Sequence, residues 1–230
     1  MAIVPINTWV NIMQIQFSIP QSAIKAVAYA MAVKDIRYYL NGMLMQHNGQ
    51  ETRLIATDGH RLHACIVRHK DVELLPEVIE AIIPDSLVKT ILKAKPGRYG
   101  SKEIAFTIDG TRIQADLFDG TSASATAIDG KFPDYHRVIP TEFSGLVAQY
   151  NPEYLLDAEL GAQAWLESGK ATPCFCHNGD SAGGIALDGF VAIVMPRRDD
   201  ATLSAPDAAF KLYPAKAEPQ AISEEQQSCK

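Results

Sequence analysis

The stretch KDIRYYLNGMLMQHNGQETRLIATDGHRL, Lys34 to Leu62, decides the fold. Its first half, IRYYLNGML, is rich in aromatic and apolar residues and predicts a strand-like segment. Its second half ends in TDGHRL. There Asp58-Gly59 accepts the positive φ that a tight hairpin turn demands. Neither half is an enzyme motif, so the meaning of the stretch rests on what surrounds it.

The surroundings repeat. IQFSIPQSAIKAVAYAMAV, EAIIPDSLVKTILKAK and LVAQYNPEYLLDAELGAQAWL each open with a short β-favouring run. Each then places a proline, at Pro20, Pro84 and Pro152, where a helix can begin. Proline suits the first turn because its missing N–H would have no helical partner there. Apolar residues follow at helical spacing, such as Ile24, Val27 and Ala28. Ser22, Asp85 and Glu153 supply capping or negative character at the positive end of each helix. Roughly three dozen residues after each proline comes an Asp-Gly turn, Asp58-Gly59, Asp119-Gly120 and Asp188-Gly189, as one recurring supersecondary unit would require. The unit reads β-α-β-β-β, and three copies begin near Ile15, Glu80 and Gly145. The fold class is α+β, with helices on one face and antiparallel sheets on the other. One unit cannot cover its own sheet. Two units pair into a domain, and a third must pack on its neighbour or on another chain.

Composition agrees with this frame. The chain has 230 residues, 47% of them apolar, and a formal charge of −6. That is enough for a sizeable core, and bulk charge argues against non-specific binding to nucleic acid. The start, MAIVPINTWVN, is not a signal peptide, and no apolar run has the length of a bilayer span. Cys65, Cys174, Cys176 and Cys229 have no disulfide-framework spacing, so reduced thiols and a cytoplasmic setting are expected. HRLHAC and CFCH offer His60, His63, Cys65, Cys174, Cys176 and His177, but their spacing fits no structural zinc pattern. Core cysteines are the simpler reading, and no metal is expected. There is no phosphate loop, no nucleophile elbow and no acid pair with a base beside it. The chain is not expected to be an enzyme or to hold a cofactor.

Four strings in order carry a resemblance. KDIRYYLNGML, TDGHRL, DGKFPDYHRVIP and VAIVMPRR together resemble the bacterial DNA polymerase III beta subunit, the sliding clamp family. The resemblance runs from Ile15 to Arg198 and implies a DNA-clamp fold. It divides the chain into an N-terminal extension, 1–14, a clamp domain like the family's middle domain, 15–140, half a clamp domain, 141–198, and a disordered tail, 199–230. The family's first domain and half of its last are expected to be missing. Twelve such units build the family's ring around duplex DNA, so four chains of three units would restore one.

The resemblance also implies a peptide-binding groove. Carried over position by position, it comprises Leu40, Thr57, Gly59, His60, Arg61, Leu62, Pro140, Ile193, Met195, Pro196 and Arg198, with Tyr39 as a gate. Leu, Ile, Met and Pro make an adaptable apolar trough, and the two Arg can bond peptide carbonyls or carboxylates at its rim. On the face that would meet phosphates stand Lys25, Lys89, Lys93 and Lys95, with Arg37 and Tyr38 near the channel. The third helix runs against this, because Glu153, Asp157, Glu159 and Glu167 would repel DNA. Two functions follow as expectations. One is a shortened oligomeric clamp, a processivity factor that tethers DNA polymerase to double-stranded DNA after placement by a clamp loader. The other is a decoy or adaptor that keeps the groove without forming a ring.

Overall fold

The computed structural model describes residues 3–5, 14–70, 74–97 and 100–198. The chain divides into two compact units, Met1–Arg197 and Arg198–Lys230, and the fold below is that of the first. The expected tail, residues 199–230, and most of the expected extension lie outside the described residues.

The strands are β1 (Ile3–Pro5), β2 (Ile15–Pro20), β3 (Gly42–His47), β4 (Glu51–Thr57), β5 (Arg61–Arg68) and β6 (Val78–Pro84). They continue with β7 (Glu103–Asp109), β8 (Arg112–Asp116), β9 (Ser122–Thr126), β10 (Gly183–Leu187) and β11 (Phe190–Val194). The helices are α1 (Gln21–Ala28), α2 (Asp85–Lys93) and α3 (Pro152–Trp165). Seven strands form one sheet in the order β1-β6-β3-β4-β5-β11-β10, and four form a second in the order β2-β7-β8-β9. Pairing is antiparallel except for β1, which runs parallel to β6.

The first two units cross over. β2, which opens the first unit, pairs with β7 of the second. β6, which opens the second, pairs with β3 of the first. Each half thus gives its leading strand to the other's sheet, and α1 and α2 pack between the two sheets. The alternation of EIAFTID in β7 buries Ile104, Phe106 and Ile108 on the helix side. They meet Ile24 and Val27 of α1, Leu87, Val88 and Ile91 of α2, and Met43, Met45 and Leu54 of the larger sheet. The opposite face of that sheet carries a second core of Leu40, Leu44, Ile55, Leu62, Ile82 and Ile193. Phe132 and Tyr135, from DGKFPDYHRVIP, lie over it, and the Tyr135 hydroxyl donates to Gln46 Oε1 at 2.8 Å. Covered on both faces, β3 and β4 carry unbroken apolar runs, Met43–Met45 and Leu54–Ala56.

The Asp-Gly turns all close hairpins, with φ of 94° at Gly59, 80° at Gly120 and 73° at Gly189. Two local expectations need correction. IRYYLNGML is not a strand until Gly42. Before it, Asn41 exchanges two side-chain bonds with the Asp35 backbone, each 2.8 Å, and folds the segment into a loop ending in a 3-10 turn at Tyr38–Leu40. The third unit is thinner than four strands. It consists of α3, an isolated bridge between Cys176 and Gly184, and the β10–β11 hairpin. Its expected leading run, Leu146 to Tyr150, makes single bonds instead of a ladder: Gly179 N–H to Leu146 O at 2.8 Å and Arg197 N–H to Gln149 O at 2.8 Å. The third unit attaches through α3, which packs on α1 and on β11, and through β11, which joins β5.

Candidate peptide-binding groove

The hairpin between β4 and β5 is fixed by its own side chains. Asp58 Oδ1 accepts the N–H groups of His60 and Arg61 at 2.9 and 3.0 Å, an Asx arrangement that needs no neighbour. The Thr57 hydroxyl donates to Arg61 O at 2.6 Å and accepts from Gly59 N–H at 3.0 Å. A side chain at Gly59 would stand 3.0 Å from the Arg37 guanidinium, so positive φ and close approach both call for glycine there.

β11 brings the distant C-terminal string to this hairpin. Leu62 pairs with Ile193 and Arg61 with Val194. The Met195 N–H then donates to His60 O at 2.8 Å, extending the ladder past the end of the strand. Residues more than 130 positions apart in the chain thus lie side by side. Of the sequence-predicted groove residues, Leu40, Thr57, Leu62 and Ile193 are buried and belong to the second core or its edge. Tyr39, Pro140 and Pro196 are half-buried, while Gly59, His60 and Met195 are exposed. The open part of the site is therefore narrower than the predicted set, with the buried aliphatics as its floor. Arg198 is exposed and is the first residue of the second unit.

Arg61 departs from expectation. It is not a free rim cation. Its Nε lies 3.0 Å from Asp58 Oδ2, and a terminal nitrogen pairs with Asp157 Oδ2 on α3. Its guanidinium lies over the Tyr154 ring, 4.5 Å from the centroid. His60 stacks near the same ring at 6.3 Å with an interplanar angle of 21°. Tyr154, Asp157 and Asn151 are the residues that sequence reasoning missed here. Tyr154 and Asp157 stand three apart on α3 and so face the same way, a spacing that shows their shared face but not their partner. Asn151 Oδ1 accepts the Glu153 N–H at 3.1 Å and caps the helix that carries both.

The positions expected to meet phosphates form no single cluster of free charge. Lys25, Lys89, Lys93 and Lys95 are exposed. Lys89 pairs with Asp85 one helical turn earlier at 2.6 Å. Arg37 is held by Asp35 at 2.7 Å, which keeps that carboxyl down at about 2, and it also donates to Asp58 O at 3.0 Å. Tyr38 is exposed beside Tyr39. The acids of α3 and of the turn that follows it are mostly engaged within the chain. Besides Asp157, Glu159 accepts from Gln163 at 3.0 Å and Glu167 pairs with Lys102 at 2.5 Å. Among the described residues, no three His, Cys, Asp or Glu side chains converge as a metal site would require, and no helix is long and apolar enough to cross a membrane.

Comparison with known proteins gives this geometry a family. The family model described as the DNA polymerase III beta subunit, central domain, matches residues 14–134. The beta sliding clamp of Escherichia coli strain K12 is 37% identical over 131 residues, 55% of this chain and 34% of that protein. The beta sliding clamp of Pseudomonas aeruginosa is 36% identical over the same length and shares. The chain thus spans about a third of the length of the curated relatives it matches. Among solved structures, the DNA polymerase III subunit beta from Pseudomonas aeruginosa superposes with a TM-score of 0.63 at 23% identity, covering 84% of this chain and 70% of that one. A second structure, the sliding clamp of the same organism with ligand, gives 0.64 at 23% identity, over 85% and 70%. At that identity the likeness shows the clamp fold alone, but its coverage takes in residues beyond 134. With the central-domain model matching more than half of its length and the same fold continuing past that match, the chain belongs to the DNA polymerase III beta subunit family.

Proposed function

We propose that this chain is a clamp-type processivity factor. Copies of it assemble into a ring on duplex DNA and hold DNA polymerase, and other replication proteins, through the groove at the β5–β11 junction. The observation that carries the reading is the bond from Met195 N–H to His60 O, which seats the end of VAIVMPRR against TDGHRL. Exposed Met195 and half-buried Pro140 and Pro196 over a floor of Leu40, Leu62 and Ile193 suit an apolar peptide anchor. The role is that of a scaffold in the cytoplasm, with no catalysis and no cofactor, and a clamp loader opens and places the ring. Exposed Lys25, Lys89, Lys93 and Lys95 line the channel softly. Retention on DNA comes from encirclement, so affinity for short linear duplex is low.

The test is a titration of the full chain with a short labelled peptide bearing apolar anchors. Burying one anchor contributes on the order of 1.5–3 kcal/mol. Met195→Ala should weaken saturable binding by about five- to tenfold, and unchanged affinity would remove Met195 from the site. Absolute mass in solution tests the ring. Four chain masses fit twelve units, whereas a monomer that still binds peptide is the signature of a decoy or adaptor.

A further inference from the structure

Arg61 is the cation that this groove would offer to a ligand carboxylate, and it is already matched from two sides. Its Nε edge faces Asp58 and a terminal nitrogen faces Asp157. The flat face lies on Tyr154, and 13% of the side chain remains exposed. A guanidinium matches carboxylates in its plane, along its N–H edges. A further carboxylate arriving here would find Nε and one terminal nitrogen already paired and two negative groups beside them. The two acids differ in origin. Asp58 builds the hairpin through its bonds to the His60 and Arg61 backbone. Asp157 is delivered from α3, 96 residues further along the chain, and it leaves the turn's backbone bonds untouched.

Building on the groove reading above, we infer that Asp157 sets the ligand class of the groove. By occupying Arg61 it makes this wall indifferent to carboxylates. The groove therefore takes apolar-anchored peptide segments whose residue beside His60 is neutral, and it gains nothing from Asp or Glu at that place. Asp157 is a specificity-determining residue that acts through Arg61.

The experiment uses the full chain and two acetylated, amidated, fluorescent hexapeptides with the same two apolar anchors. They differ only in carrying Asp or Asn at the position beside His60, and binding is read by anisotropy. Wild type should bind the Asn peptide at least as tightly as the Asp peptide. Asp157→Asn keeps the size and a hydrogen-bond acceptor but removes the charge. It should move the affinity ratio toward the Asp peptide on the order of threefold, an effect that shrinks as salt is added. Asp157→Glu should restore the wild-type ratio. A ratio unmoved by Asp157→Asn overturns the inference, even if both affinities fall because α3 has loosened. So does a wild type that already favours the Asp peptide by that margin. If both peptides bind and Met195→Ala weakens both while the ratio ignores position 157, only this inference falls. If neither binds wild type, the groove reading falls and takes this inference with it.

Discussion

His63 sits on β5 beneath α1 and α3 with no exposed surface. Its Nδ1 lies 2.8 Å from Ala26 O, and its Nε2 has no partner. Burial holds its imidazole neutral, with a pKa lowered to about 4. His47 is likewise lowered to about 4, first by burial and then by the neighbouring His69. It stacks on Phe17 at 4.0 Å, and Thr52 bridges the two imidazoles at 2.8 and 2.7 Å. Both values lie below the ordinary 6.5, so on acidification the unfolded chain takes up these protons first. The stability they contribute is complete above about pH 6.5 and is lost as pH falls toward 4. Thermal melts followed by circular dichroism should show the midpoint falling by several degrees between pH 7 and pH 5. A flat profile over that range would contradict the burial argument. At this scale the sequence was half legible. The family resemblance supplied Leu62 and Ile193 as groove positions, and both are buried in the second core. The partner of Arg61 was hidden, because an ion pair across 96 residues leaves no local pattern.

Among the elements, α3 shows how a small residue positions a helix. Ala158, Gly161 and Ala162 are its buried residues. A Cβ at Gly161 would meet His63 Nδ1 at 2.8 Å and Ala26 O at 2.9 Å. The missing side chain therefore lets α3 close onto α1 directly over His63. Gly161→Ala gains helix propensity but overpacks this crossing, and the crossing should win. We expect a net loss of about 1–3 kcal/mol, measured as a lower urea midpoint with an unchanged slope. A midpoint at or above wild type would mean that α1 can give way. Elements with local causes were legible in the sequence: Pro20, Pro84 and Pro152 each began a helix, and Asp58-Gly59, Asp119-Gly120 and Asp188-Gly189 each closed a hairpin. Two others were not. The aromatic content of IRYYLNGML reads as a strand, yet the Asn41–Asp35 bonds make a loop of its first half. Leu146 to Tyr150 also has strand composition, but no neighbouring strand lies along its whole length to form a ladder.

At the scale of the molecule, the three-part repeat and the clamp-like arrangement were legible because the repeat is periodic and the family strings keep their order. The meeting of β11 with β5 was legible only through the family resemblance, and the parallel β1 and the reduced third unit were not legible, since they depend on which edge each strand finds. The exchange of leading strands has a consequence for how the chain comes to be folded. β2 finds its partner β7 only after roughly ninety residues of intervening chain, and β6 must reach back past β5 and β4 to β3. Neither half can complete a sheet before the other exists, and contacts so distant in sequence slow folding. Chain emerging from a ribosome would hold an unfinished β3-β4-β5 edge until β6 follows it out, and β2 would stay unpaired until β7 appears. Cut between residues 70 and 71, the two pieces should each lack a cooperative melt when alone and recover one on mixing. Circular dichroism of the separate and combined fragments would show this. A sharp transition in the first fragment by itself would mean that the borrowed strand is dispensable.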